Sequence, residues 1–106
     1  MEEKIKISIL LSLYGKLLTK TQAKYIELYY NEDLSLSEIG DNEDITRQAV
    51  RTILVKSKNK LQEYEEQLGF MKKQENIKKL VIEIENTKNE SEKSKFIEKI
   101  KSELDF

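Results

Sequence analysis

No proline interrupts the 106-residue chain, and glycine occurs only at positions 15, 40 and 69. Proline breaks helices and glycine marks tight turns, so their scarcity favours long uninterrupted elements. No stretch sustains the apolar–polar alternation of a half-buried strand. Because 37% of the residues are charged and only 38% are hydrophobic, the chain has little material for a thick core. We therefore predict an all-α fold of packed helices.

Capping signals divide the chain into six predicted helices. Thr19-Lys20-Thr21-Gln22 and Ser35-Leu36-Ser37-Glu38 each match a capping box, which satisfies free N–H groups at a helix start. The predicted helices cover about 3–18; 19–31; a short stretch from Ser35 that includes Ile39; 46–68; a helix that carries Phe70 to Ile84; and a last one that carries Phe96 to Leu104. The first has an apolar stripe of Ile5, Ile9, Leu10, Leu13 and Leu17, which Ile7, Leu11 and Tyr14 widen. We expect turns at 31–33 and 41–44 and a polar break at 86–91.

The fourth predicted helix, from Thr46 to Leu68, has the clearest period. At roughly 100° per residue, its core residues fall within an arc of about 100°. They are Val50, Ile53, Leu54, Ser57, Leu61, Tyr64 and Leu68. A rod of about 34 Å follows from ~1.5 Å per residue, with Thr46 as its N-cap and Gly69 at its C-terminal end.

Positive charge is concentrated in the segment 45–60, which we call the basic segment. It contains two arginines and three lysines and no acid, whereas 1–44 carries five lysines against nine acids and 61–106 nine lysines against eleven acids. The chain as a whole has a net charge of −1. A local basic patch between acidic flanks is what phosphate contacts use, and the flanks restrict the docking face.

Three short helices followed by a capped, basic, amphipathic helix are typical of a helix-turn-helix unit, whose last helix enters the major groove of DNA. Ile39 and Ile45 would anchor the turn, and Gly40 would let the two helices approach closely. The predicted nucleic-acid-binding residues are Thr46, Arg47, Gln48, Arg51, Thr52, Lys56 and Lys58. Arg47 and Arg51 are the only arginines, and each offers a planar fork of donors that fits guanine or phosphate. The lysines suit backbone phosphates.

Four segments of this region resemble region 4 of sigma-70-type factors and, more closely, the small YlxM family. They are Leu17–Gln22, Tyr25–Tyr30, Leu34–Ile39 and Ile45–Val50, within roughly residues 5–70. The resemblance implies a stand-alone, sigma region 4-like helix-turn-helix protein that is regulatory and binds nucleic acid. It also implies a part in the signal recognition particle pathway, because the family's genes adjoin those of the particle's GTPase and its receptor.

Two positions depart from this family. Glu43 stands where the family usually has an apolar residue, and Asp44 stands where it has glycine or asparagine. With Asp41, Glu43 places negative charge beside the supposed recognition helix, which should oppose DNA binding. The resemblance therefore supports the fold more strongly than it supports the binding activity. The length of the chain excludes a full sigma factor.

Several alternatives remain open on the sequence. Arg47 and Arg51 contact nucleic acid, DNA rather than RNA, or they lie on a solvated helix face. The protein could instead be a protein or RNA interaction module of the signal recognition particle with no DNA-binding role. We expect one domain over residues 1–106, with a helix-turn-helix core at 1–70 and a helical extension at 71–106. The C-terminal stripes either complete the core or pair with a second copy, and we favour a homodimer.

Other functional classes are disfavoured. The chain has no cysteine and no histidine, so thiol nucleophiles, histidine bases and the usual zinc sites are excluded. Its clustered glutamates lie among lysines rather than beside apolar walls, so we predict no enzyme, cofactor or metal. We expect Tyr25, Tyr29 and Tyr30 to pack in the core and rim of the second helix rather than stack on bases, because the basic segment contains no aromatic residue. No signal peptide or membrane span fits, so we predict a cytoplasmic protein.

Overall fold

The computed structural model describes residues 2–105, and over that range it confirms the all-α prediction. Its helices are α1 (Glu3–Tyr14), followed by a 3₁₀ turn (Gly15–Leu17); α2 (Lys20–Ile26), which continues as a π-helical segment (Glu27–Asn31); α3 (Leu36–Glu43); α4 (Arg47–Leu68); α5 (Phe70–Asn86); and α6 (Glu90–Glu103). Both predicted capping boxes form, at Thr19–Gln22 and Ser35–Glu38. Within residues 2–105, no helix combines the length and apolarity that crossing a membrane requires.

The predicted turn at 41–44 was wrong for its first three residues. α3 continues through Glu43 and ends only at Asp44, which adopts the left-handed conformation at φ 57°. Aspartate and asparagine are weak helix formers but do not break a helix, whereas a residue at positive φ does end it. That position favours glycine, and asparagine and aspartate also adopt it because their short polar side chains can hydrogen-bond locally.

The chain divides into two compact units, one up to Leu68 and one from Gly69 onward, here called the N-terminal and C-terminal units. The single domain expected from the sequence stays a prediction. The N-terminal unit packs α1, α2 and α3 against α4. Its buried hydrophobic residues are Ile7, Leu10, Tyr14, Leu18, Tyr25, Ile26, Ile39, Val50, Leu54 and Leu61.

The predicted apolar stripe of α1 was partly wrong. Ile7, Leu10 and Tyr14 are buried, whereas Ile5 and Leu17 are more than half exposed. α1 carries apolar residues on almost every side, so its periodicity does not select the face that packs. The period of α4 does select one, because its outer side is mostly polar, and Val50, Leu54, Ser57 and Leu61 are buried as predicted. The prediction was wrong for Leu68, which lies at the end of the helix and is 48% exposed.

The turn between α3 and α4 depends on Gly40. A Cβ atom built on Gly40 would lie 2.7 Å from the backbone oxygen of Ile45 and 3.5 Å from the backbone nitrogen of Arg47. The Ile45 N–H donates to the Gly40 carbonyl at 3.0 Å. Ile39 is buried and Ile45 is half-buried behind the turn. The close helix approach that the sequence predicted at Gly40 is confirmed.

The C-terminal unit is a hairpin of α5 and α6. Gly69 begins it at φ 67°, the left-handed conformation expected of a glycine that ends a helix. The Asn89 side chain caps α6 by accepting from the N–H groups of Ser91 and Glu92. Among the described residues, none of α5 or α6 is fully buried, so the hairpin does not enclose a core.

Candidate nucleic-acid interface

The start of α4 presents the predicted contact residues in its first two turns. The Thr46 hydroxyl accepts a hydrogen bond from the Ala49 N–H at 3.0 Å, so the predicted N-cap forms and fixes the direction of the helix. Arg47, Gln48 and Arg51 are exposed. Within residues 2–105, neither arginine forms a salt bridge or a side-chain hydrogen bond. Both guanidinium groups therefore face solvent with all their donors free.

The other predicted residues of α4 differ in how far they are engaged. The Thr52 hydroxyl donates to the Gln48 carbonyl at 3.0 Å, which leaves it only its acceptor positions. Lys56 is exposed. The Lys58 ammonium lies 3.1 Å from the Glu3 carboxylate of α1, and its side chain is 28% exposed. Lys58 therefore has its charge matched within the protein and would have to leave Glu3 to reach a phosphate.

The acids beside α4 are not equivalent. Glu43 pairs with Lys24 of α2 at 2.6 Å, with 23% of its side chain exposed. The hydrogen bond and charge of Glu43 raise the pKa of the Lys24 ammonium. Asp41 and Asp44 are exposed. Of the two departures from the family pattern, Asp44 is the one whose charge remains unmatched beside Arg47.

A cleft of 130 Å³ opens beside Arg51 on the same unit. It is lined by Tyr29, Tyr30, Leu36, Arg51, Leu54, Val55 and Lys58; we call it the tyrosine cleft. The sequence argument placed no aromatic residue near the basic segment, and that argument does not hold in three dimensions. Tyr25 is buried as predicted, whereas Tyr29 is 36% exposed at the cleft. In the sequence, the one sign of this cleft is the pair Tyr29 and Tyr30 at the end of the second predicted helix. That pair does not indicate which residues of α4 lie next to it.

One carboxylate joins three helices at this cleft. The Glu3 Oε1 atom accepts from the Lys58 ammonium at 3.1 Å and from the Tyr30 hydroxyl at 3.3 Å. The hydrogen bond and charge of Lys58 lower the pKa of the Glu3 carboxyl. Burial, together with the Glu3 carboxylate, raises the pKa of the Tyr30 phenol to about 12. This network fixes one wall of the tyrosine cleft.

Comparison with known proteins agrees with this fold. The model of the UPF0122 family, described as "Putative helix-turn-helix protein, YlxM / p13 like", matches residues 1–103. A UPF0122 protein of Clostridium kluyveri is 40% identical over 105 residues, which cover 96% of this chain and 95% of the relative. A UPF0122 protein of Desulforamulus reducens is 45% identical over 86 residues, which cover 81% and 74%. The chain belongs to this family.

Proposed function

We propose that this protein binds nucleic acid through the exposed face of α4, with Arg47, Gln48 and Arg51 directed at base edges. The observation that carries the proposal is the pair of exposed arginines in the first two turns of a capped helix, neither of which has an ionic or hydrogen-bonding partner among residues 2–105. Structural arginines of a solvated face commonly pair with nearby acids, and Asp44 is close in sequence yet unpaired. Free forks on a helix that follows a tight turn are the arrangement that base contacts require.

The remaining contacts would position the protein. Lys56, and Lys58 once released from Glu3, would contact backbone phosphates, and Thr46 and Thr52 would add hydroxyl contacts near the start of α4. Phosphate contacts release counterions, so the affinity would fall as salt concentration rises. We favour duplex DNA over RNA, because the major groove of B-DNA admits a helix and that of A-form RNA does not.

The test is a double substitution, Arg47→Ala with Arg51→Ala, measured against duplex DNA over a range of salt concentrations. We expect the removal of each arginine to weaken binding by about 1–3 kcal/mol and to relax the sequence preference, whereas the log–log salt slope, which reports the phosphate contacts, should stay close to that of the wild-type protein. Lys16→Ala with Lys20→Ala is the matched control, because it removes the same charge from exposed sites elsewhere on the N-terminal unit. A slope near zero for the wild-type protein, or equal losses of affinity in the two double variants, would refute the proposal.

A regulatory role in the signal recognition particle pathway is the finer form of the proposal, and it rests on the family resemblance. The second candidate is a protein or RNA interaction module of that particle, in the cytoplasm, with no DNA-binding role. The exposed Asp41 and Asp44 favour this candidate, because acids beside the start of α4 repel a duplex. Capture of particle RNA or protein from a lysate, without retention of duplex DNA, would select it. Tight duplex binding without any particle component would reject it.

A homodimer completes the proposal. The C-terminal unit exposes Phe70, Val81, Ile82, Ile97 and Leu104, and its nine lysines nearly balance eight acids. Self-association through this surface would bury apolar area without strong charge repulsion. Paired helix-turn-helix units contact two half-sites about 34 Å apart, so dimerisation would also raise affinity for DNA.

A further inference from the structure

The tyrosine cleft brings three kinds of group together. Leu36, Leu54 and Val55 supply apolar side chains, Tyr29 and Tyr30 supply aromatic rings, and Arg51 and Lys58 supply cations. Its 130 Å³ is well below the roughly 300–1,000 Å³ of ordinary ligand pockets. The space therefore suits one flat ring rather than a larger molecule.

The aromatic wall is held in place by its neighbours. The Tyr29 and Tyr30 ring centroids lie 5.0 Å apart at 78°, an edge-to-face arrangement. The Tyr30 hydroxyl is tied to Glu3 at 3.3 Å, so the Tyr30 ring supports Tyr29 from the side. Tyr29 remains 36% exposed, and its ring is thus available to a ligand without unfolding any core.

The backbone that carries both tyrosines is π-helical over Glu27–Asn31. A π-helical turn holds an extra residue and rotates the side chains that follow it around the helix axis; such turns are rare and are frequent at functional sites. The Asn31 side chain donates to the Glu27 carboxylate at 2.7 Å and supports this segment from outside. The position of the tyrosines therefore depends on an unusual local geometry.

The cationic edge of the cleft contains one free and one engaged group. Arg51 has no hydrogen-bonding or ionic partner among residues 2–105, whereas Lys58 is held by Glu3. A guanidinium group can bind a phosphate through two donors and can also stack on a ring. Lysine held by a carboxylate adds little net charge. The ligand that fits is an aromatic ring attached to a single anionic group.

We propose that the tyrosine cleft binds one unpaired base of a single-stranded nucleic acid, with the base against Tyr29 and an adjacent phosphate on Arg51. Base–aromatic stacking beside cations is how single strands are held, and it tolerates any base because each has a π-face. The inference rests on the proposed function, since it requires nucleic acid at the α4 face. It extends that function to a target that carries an unpaired nucleotide.

The test compares Tyr29→Ala with Tyr29→Phe in the full-length protein. The probes are a fluorescently labelled thymidine oligonucleotide and a blunt duplex of the same length. We expect Tyr29→Ala to weaken single-strand binding by about 5- to 150-fold, the range that one stacked base contributes, and Tyr29→Phe to retain the wild-type affinity because the ring remains. Neither change should alter binding of the blunt duplex. Unchanged single-strand affinity in Tyr29→Ala overturns the inference.

A second measurement needs no variant. On titration of the wild-type protein with the thymidine oligonucleotide, the methyl resonances of Leu36 and Val55 should shift, because a base in the cleft lies against them. Absence of shifts there while the oligonucleotide binds elsewhere on the protein overturns the inference.

The two proposals fail in different ways. If the blunt duplex binds in a way that depends on Arg47, but the single strand shows no binding that depends on Tyr29, the proposed function is supported and the cleft inference is refuted. Single-strand binding that depends on Tyr29, without duplex binding, supports the cleft and removes the groove contacts of α4. Binding of neither probe removes both.

Discussion

The N-terminal and C-terminal units both contain amphipathic helices, yet only the first has a core. All ten buried hydrophobic residues of the described range lie at or before Leu61, and α5 and α6 contribute none. Five large hydrophobic residues from Phe70 onward are exposed instead. An apolar stripe is therefore buried only when enough helices surround it. Four helices enclose a core, whereas two can cover only one side of each other.

The units also differ in what they can bind. The N-terminal unit combines exposed arginines, a supported tyrosine pair and a helix start fixed by a capping hydroxyl. The C-terminal unit carries lysines spread among acids, with short-range pairs such as Lys93–Glu90 and Lys101–Glu98. Specific contacts need side chains held by packing, so we propose that nucleic-acid recognition belongs to the N-terminal unit and self-association to the C-terminal one.

The largest expected effect comes from one substitution made in both units. Ile26→Ala removes a fully buried side chain and should lower the free energy of unfolding by about 2–5 kcal/mol. Ile97→Ala shortens a side chain that is 43% exposed and should change the free energy of unfolding by about 0.5 kcal/mol or less. Urea denaturation at low protein concentration, followed by circular dichroism, measures both. Equal losses of stability would contradict the comparison.

A smaller loss is expected when the turn of the N-terminal unit is disturbed. Gly40→Ala places a methyl group 2.7 Å from the Ile45 backbone oxygen, so the turn must shift at a cost of about 1–3 kcal/mol. Gly15→Ala is the matched control, because its nearest neighbour is the flexible end of Leu11 at 3.1 Å. Thermal unfolding of the two variants checks the difference. Equal melting temperatures would show that the close approach at Gly40 does not constrain the fold.

The exposed stripe of the C-terminal unit allows a test of self-association with little effect on folding. Val81→Glu introduces a charge on a side chain that is 41% exposed in α5, and it should convert a dimer into a folded monomer. Lys88→Glu, in the loop before α6, introduces the same acid away from the stripe and should leave the dimer intact. Sedimentation velocity measures the mass of each. A monomeric wild-type protein would refute the homodimer.

The smallest effect is confined to strongly alkaline solution. The Tyr30 pKa of about 12 lies above the ordinary value of 10.0, so the unfolded chain loses its proton first as pH rises. Stability is therefore complete below about pH 10 and declines between about 10 and 12. All five tyrosines precede Gly69, so this effect of Tyr30 lies in the N-terminal unit. Tyr30→Phe should abolish most of it in denaturation measured against pH, and a Tyr30 pKa near 10 would contradict the prediction.

Much of the fold could be predicted because its signals are local. Capping boxes at Thr19 and Ser35, the hydroxyl cap at Thr46 and the left-handed Gly69 each depend on residues within four positions. The facing side of α1 could not be predicted, because that helix is apolar nearly all round. The C-terminal end of α3 was predicted wrongly because the left-handed conformation of Asp44 ends the helix, and the composition of residues 41–44 does not reveal that conformation.

The candidate site was predicted in part for the same reason. Helical period and capping act within a turn or two, so the sequence is sufficient to predict capped helices with both arginines on the outer side of α4. Three contacts follow only from the tertiary structure: Glu43 pairs with Lys24, Lys58 is held by Glu3 from 55 residues away, and Tyr29 lies beside Arg51. Such contacts depend on which helix faces pack together, and no local pattern in the chain specifies that.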